Sequence, residues 1–121
     1  MELRASGEDY LEAILVLQKK NGAVRSIDVV RHLNRSKPSV SRAIHLLQEG
    51  GFLELDAQRR LCLTDRGRAV AERMYERRRF FAERLLALGI DPATAEADAC
   101  RLEHAISAES FAKLKDAAGQ P

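Results

Sequence analysis

The N-terminal third of the chain carries apolar residues at the three- and four-residue spacing of amphipathic helices. This spacing predicts a first helix over residues 8–18, followed by an Asn-Gly turn signal. Two serines, Ser26 and Ser36, precede the next two apolar stripes, where serine is a favourable N-cap. We therefore expect three short helices, of which the third begins near Lys37 and stops at a Gly-Gly pair.

After the third helix the apolar pattern changes from a helical to a strand-like period. Two short apolar runs, residues 52–55 and 61–63, flank a polar segment at 56–60, which is typical of a β-hairpin. Three short helices followed by such a hairpin make a winged helix-turn-helix. In that arrangement the third helix enters the major groove of DNA, and the hairpin, or wing, lies along the phosphates.

The remainder of the chain returns to helical spacing. Thr64 is placed to cap a long fourth helix, and Asp91 and Ser107 are placed to cap two shorter ones. We therefore predict a mainly α fold, in which an N-terminal winged helix-turn-helix domain precedes a helical lobe. The predicted domain ranges are 1–64 and 65–121.

The composition is typical of a globular protein that folds in water. Charged residues make up 31% of the 121 positions and hydrophobic residues 45%. No stretch reaches the roughly 18 apolar residues of a membrane span, and the first residues lack the apolar segment of a signal peptide. We expect a cytoplasmic protein without a membrane partner.

Basic residues are concentrated in the predicted DNA-binding helices. The net charge is only +2, yet residues 13–48 carry seven basic side chains against one acidic side chain. Arg42 on the third helix has the donors to bind a guanine bidentately, and residues 58–60 form the wing tip. An alternative is a module for protein contacts alone, with this face unused. The expected DNA contacts are Arg25, Ser36, Lys37, Pro38, Ser39, Ser41, Arg42, Gln58, Arg59 and Arg60.

A second group of chemically active side chains is split between the two ends of the chain. Asp9 and Glu12 lie three residues apart on the first helix, and Cys100, Glu103 and His104 occupy positions i, i+3 and i+4 of the fifth. Carboxylates, an imidazole and a thiolate suit a borderline divalent ion such as Fe²⁺ or Mn²⁺. The alternative is structural: acidic residues favour a helix N-terminus, and cysteine often fills a core.

Five segments resemble the iron- and manganese-dependent transcriptional repressors of the diphtheria toxin repressor type, over about residues 6–107. The resemblance implies a metal-sensing repressor whose winged helix binds DNA, whose later helices join two protomers, and whose metal ligands match Asp9, Glu12, Cys100, Glu103 and His104. Asp9 is similar to the manganese-type choice and Cys100 to the iron-type choice. The segments are SGEDYLEAILVL, VRSIDVVRHL, SKPSVSRAIHLL, LTDRGRAVAERMYERR and DACRLEHAIS.

Two positions depart from the pattern that this resemblance implies. Arg78 stands where the family carries a ligand histidine, and Ala82 stands at the position of a downstream carboxylate. Arginine stays protonated and offers only donors, so it cannot bind a cation. We expect a weakened Mn²⁺ or Fe²⁺ site, and the alternative is a winged-helix regulator that has lost metal dependence. The length favours the short, two-lobed type.

The last expectations concern catalysis and assembly. No nucleophile arrangement or glycine-rich phosphate loop is evident, so we expect neither an enzyme nor a small-molecule substrate. The helices after the hairpin carry more large apolar side chains than so short a segment can bury, which predicts a homodimer on a near-palindromic DNA target. These side chains are Met74, Phe80, Phe81, Leu85, Leu86, Phe111 and Leu114.

Overall fold

The computed structural model describes residues 3–119, which form six helices and one two-stranded antiparallel sheet. This mainly helical order confirms the predicted fold class. Between residues 3 and 119, no helix combines the length and apolar character that crossing a membrane requires. The elements are α1 (Ala5–Asn21), α2 (Ser26–Leu33), α3 (Lys37–Glu49), β1 (Leu53–Leu55), β2 (Leu61–Leu63), α4 (Asp65–Ala87), α5 (Pro92–Ala105) and α6 (Ala108–Ala118).

The chain divides into two compact units within α4, since one unit ends at Arg73 and the other begins at Met74. The division after residue 64 that the sequence indicates stays a prediction. Residues 1, 2, 120 and 121 of the predicted domain ranges lie outside the described residues.

The first unit is built on α1, whose buried face is apolar apart from Glu12. Leu11 and Ile14 are completely buried, together with Val29 of α2 and Val40 of α3. The hairpin joins this core by two hydrogen bonds: the Leu61 N–H donates to the Val24 carbonyl at 2.7 Å, and the Gln18 side chain donates to the Leu61 carbonyl at 3.3 Å. The wing is therefore fixed to α1.

The start of α4 lies against the backbone of the hairpin. Thr64 caps the helix as predicted, because its Oγ1 accepts the Gly67 N–H at 3.1 Å. A Cβ at Gly67 would lie only 2.0 Å from the Phe52 carbonyl oxygen. Glycine at this position is therefore required by the close approach of two backbones.

The predicted cap of α2 is wrong by one residue. Ser26 is the first helical residue, and the N-cap position belongs to Arg25, whose side chain is exposed. The Asp28 carboxylate accepts the Arg25 backbone N–H at 2.9 Å. A carboxylate in the first turn therefore organises the start of α2 in place of a capping serine.

The second unit packs the rest of α4 with α5 and α6. Phe80 meets both Phe81 and Phe111 edge to face, with ring centroids 5.3 Å apart. Arg77 is 6% exposed, and its Nη1 donates to the carbonyls of Glu103 at 3.1 Å and Ile106 at 2.8 Å. Although residues 77–79 are three consecutive arginines, Arg77 is therefore an internal side chain of this unit and not part of its surface.

Candidate functional site

The helix α3 buries one side and exposes the other. Val40, Ile44 and Leu47 are buried. The residues that the sequence predicts as DNA contacts on and before this helix all fall on the exposed side, namely Ser36, Lys37, Pro38, Ser39, Ser41 and Arg42. Helix rotation of about 100° per residue thus separates the two sets cleanly.

The polar side chains at the start of α3 differ in whether they form hydrogen bonds or ion pairs within the protein. Ser36 acts as the N-cap: its Oγ accepts the Ser39 N–H at 3.3 Å and donates to the Ser39 hydroxyl at 2.8 Å. Lys37 and Arg42 have no ion-pair partner in the described part of the chain. Both cations are therefore available to an external anion.

The turn of the wing is organised by a single carboxylate. Asp56 accepts the backbone N–H groups of Gln58 at 2.9 Å and Arg60 at 2.8 Å, and the Arg60 Nε at 2.6 Å. These bonds, led by the Arg60 backbone N–H, hold the pKa of Asp56 below its ordinary value. Arg60 is thus largely engaged within the turn, whereas Arg59 at the tip is exposed, with a left-handed φ of 63°.

Asp9 and Glu12 lie on α1 in the first unit, and they differ in environment. Glu12 is completely buried, whereas the Asp9 side chain is 18% exposed. An Asp9 oxygen lies 3.8 Å from a guanidinium nitrogen of Arg35, which stands in the turn between α2 and α3. The spacing of residues along the chain does not predict this ion pair, because it joins elements that are distant in sequence.

Cys100, Glu103 and His104 lie together on α5, as their spacing predicts. Each offers a ligand-type atom, and these atoms lie within 4.8 Å of one another. Glu103 is completely buried, and its Oε1 lies 3.4 Å from the His104 Nε2. One thiol, one carboxylate and one imidazole form a donor set that fits a borderline divalent ion.

A guanidinium stands inside this group. The Nη2 of Arg78, on α4, lies 3.4 Å from the Glu103 Oε1 and 3.8 Å from the Cys100 sulfur. Its Nη1 lies 3.2 Å from an oxygen of Glu96, one turn before Cys100 on α5. The sequence identified Arg78 as a departure but missed Glu96.

Together these features define a class of protein. An exposed basic third helix and an anchored wing are typical of a winged helix-turn-helix protein. The helical unit that follows carries a cluster of side chains of the metal-ligand type. The family comparison agrees in both parts of the chain. Residues 2–61 match the family model for the N-terminal DNA-binding domain of iron-dependent repressors, and residues 64–121 match the model for their metal-binding and dimerisation domain.

The chain belongs to the iron-dependent repressor family. The transcriptional regulator MntR of Escherichia coli O6:H1 is 33% identical over 104 residues, which cover 86% of this chain and 67% of that protein. The iron-dependent repressor IdeR of Mycobacterium tuberculosis is 31% identical over 122 residues, which cover 99% of this chain and 53% of that protein.

The solved structure of the manganese regulator SloR has the same fold. It superposes with a TM-score of 0.83 at 24% identity, and the match covers 95% of this chain and 54% of that one. The chain therefore spans about two thirds of the length of MntR and about half the length of IdeR and SloR.

Proposed function

We propose that the protein is a metal-responsive repressor of metal homeostasis genes, which binds a palindromic operator as a homodimer. The observation that carries the proposal is the exposed start of α3, where Lys37 and Arg42 have no ion-pair partner among residues 3–119. Exposed cations beside hydroxyl groups can bind an anion, and DNA supplies both phosphates and base edges.

The two parts of the DNA-binding surface have separate tasks. Arg42, one turn into α3, reads a base in the major groove, and the smaller side chains around it position the helix on the phosphates. Arg59 at the wing tip neutralises a phosphate without reading sequence. A module for protein contacts alone would have no need for this division.

The proposed metal ligands are Asp9, Glu12, Cys100, Glu103 and His104, with Mn²⁺ or Fe²⁺ as the ion. Support comes from the α5 cluster, whose ligand-type atoms lie within 4.8 Å of one another. The bound ion would supply positive charge that neutralises the carboxylates. Ala82 contributes no donor, so the site relies on the five remaining side chains.

Dimerisation is supported by apolar side chains that the second unit leaves exposed. Leu88 is 79% exposed, and Leu86 and Leu114 are exposed as well. The original expectation is only partly met, because Met74 and Phe111 are already buried within the chain. Large apolar side chains that a unit leaves exposed are typical of a surface that another protomer covers.

The proposal includes no catalytic activity and no small-molecule substrate, and it places the protein in the cytoplasm. The test is a titration of Mn²⁺, Fe²⁺ and Zn²⁺ into metal-stripped protein, with DNA binding and sedimentation followed in parallel. We expect at least one ion to strengthen both DNA binding and dimerisation. Unchanged DNA affinity with every ion would favour the regulator that has lost metal dependence.

Two variants test the assignment of the DNA-binding surface. Arg42→Ala should weaken specific binding by about 1–3 kcal/mol and leave non-specific binding nearly intact. Arg59→Ala should weaken binding to all sequences alike and flatten the salt dependence. Equal loss of specific and non-specific binding in both variants would contradict the assignment of α3 to base reading.

A further inference from the structure

The guanidinium of Arg78 lies where a bound cation would lie, beside the ligand-type side chains of α5. Glu96, Cys100 and Glu103 lie at i, i+4 and i+7, which places them on one face of α5. The Arg78 guanidinium contacts all three: Glu96 at 3.2 Å, Glu103 at 3.4 Å and the Cys100 sulfur at 3.8 Å. A positive charge is thus already present at the anionic face.

The same atoms are the ones that a divalent ion would require. The Glu103 Oε1 that accepts from the Arg78 Nη2 belongs to a completely buried carboxylate, and the Cys100 sulfur is the second metal-ligand atom that accepts from this nitrogen. A fixed guanidinium and a divalent ion would repel each other strongly at a site that is shielded from water. One of them therefore excludes the other.

Glu96 provides a place for the guanidinium outside the cluster. The Arg78 side chain is 24% exposed and the Glu96 side chain is 57% exposed, so the ion pair between them faces solvent. The Glu103 side chain, in contrast, is 0% exposed. A long, flexible side chain can withdraw from the buried end while it keeps its exposed ion pair. Departure then needs only a rotation of the Arg78 side chain.

We propose that Arg78 is an internal cation that occupies the ligand cluster of the metal-free protein and must leave before a divalent ion binds. This inference rests on the proposed metal site and adds its regulation. Only molecules in which Arg78 has withdrawn can bind the ion. The binding free energy of the ion is therefore less favourable by the free energy that is needed to break the Arg78 contacts. The chain thereby responds at a higher metal concentration than it would with a neutral residue at this position.

The experiment compares Arg78→Met with Arg79→Met, which removes the same charge from the neighbouring residue. Arg79 is 63% exposed, and its ion pair with Glu83, at 3.4 Å, lies at the surface. Mn²⁺ binding to the metal-stripped full chain is measured by calorimetry and by loss of the free-ion paramagnetic resonance signal. We expect Arg78→Met to tighten Mn²⁺ binding at least tenfold, about 1.4 kcal/mol, and Arg79→Met to change it less than twofold.

Thermal melting supplies a second readout that does not depend on DNA. Without metal, Arg78→Met should melt several degrees below the parent, because Glu103 loses its cation, and Mn²⁺ should raise its melting temperature more than it raises that of the parent. Arg78→Gln removes the charge but retains donors, so it remains testable if the methionine variant does not fold. It should also tighten Mn²⁺ binding.

The outcomes separate this inference from the proposed function. The proposal that Arg78 is an internal cation is overturned if the Arg78 variants bind Mn²⁺ as tightly as the parent or more weakly. It is also overturned if no variant binds Mn²⁺. DNA binding by the parent, with the loss caused by Arg42→Ala, is measured independently of these results. The DNA-binding part of the proposed function is therefore tested separately from the role of Arg78.

Discussion

Replacement of Arg77 by methionine should destabilise the second unit far more than the same replacement of Arg79. Arg77 is 6% exposed, and its guanidinium donates to the carbonyls of Glu103 and Ile106, at 3.1 and 2.8 Å. Ile106 follows the last residue of α5, so the side chain satisfies carbonyl groups at a helix C-terminus that have no partner within the helix.

The magnitude follows from these two contacts. A hydrogen bond with a charged donor contributes about 1.5–3 kcal/mol, and a cation at a helix C-terminus adds up to about 1 kcal/mol. The guanidinium also lies 5.5 Å from the centre of the Phe111 ring. Because both bonds share one donor nitrogen, they are not additive, and we expect a loss of about 3 kcal/mol in the free energy of unfolding for Arg77→Met.

The assay is urea unfolding at 25 °C and a fixed protomer concentration, since the stability of a dimer depends on concentration. Arg79→Met removes a charge from the next residue of α4, where the ion pair with Glu83 is exposed on both sides. That variant should lose at most about 0.5 kcal/mol. A loss below about 1 kcal/mol for Arg77→Met, or equal losses for the two variants, would refute the role assigned to the buried guanidinium.

Two further predictions concern single positions in the fold. Gly67→Ala should lower the free energy of unfolding by about 1–3 kcal/mol although alanine favours helices, because its Cβ would meet the Phe52 carbonyl oxygen at 2.0 Å. The control in the same denaturant assay is Gly7→Ala, whose Cβ would meet side-chain atoms rather than backbone: Leu3 at 3.0 Å and Leu47 at 3.7 Å. Asp91→Asn should lose less stability than the parent on acidification. Hydrogen bonds from the Thr94 side chain and backbone lower the pKa of Asp91. The contribution of the Asp91 carboxylate to stability is therefore present above about pH 3.8 and disappears as the pH falls through the lowered pKa. Thermal melting at pH 7 and pH 3 measures this difference, and an equal decrease in both proteins would count against it.

The sequence predicted the features that local chemistry controls. Ser36 and Thr64 were identified as helix caps because the side chain and the N–H that it accepts are three residues apart, and the structure shows both hydrogen bonds. Cys100, Glu103 and His104 were grouped for the same reason, since i, i+3 and i+4 lie on one face of any helix. The start of α2 was misplaced because serine and a first-turn aspartate are competing local signals.

The residues that the sequence could not assign are three consecutive arginines. Successive positions of a helix are about 100° apart, so Arg77, Arg78 and Arg79 necessarily face three directions, but only the packing of α5 and α6 decides what lies in each. One guanidinium meets backbone carbonyls, one meets a buried carboxylate and a thiol, and one meets water and Glu83. Residue type is therefore insufficient to predict the electrostatics of this site: the same side chain binds the carbonyl groups of a helix end at one position and pairs with a buried carboxylate at the next.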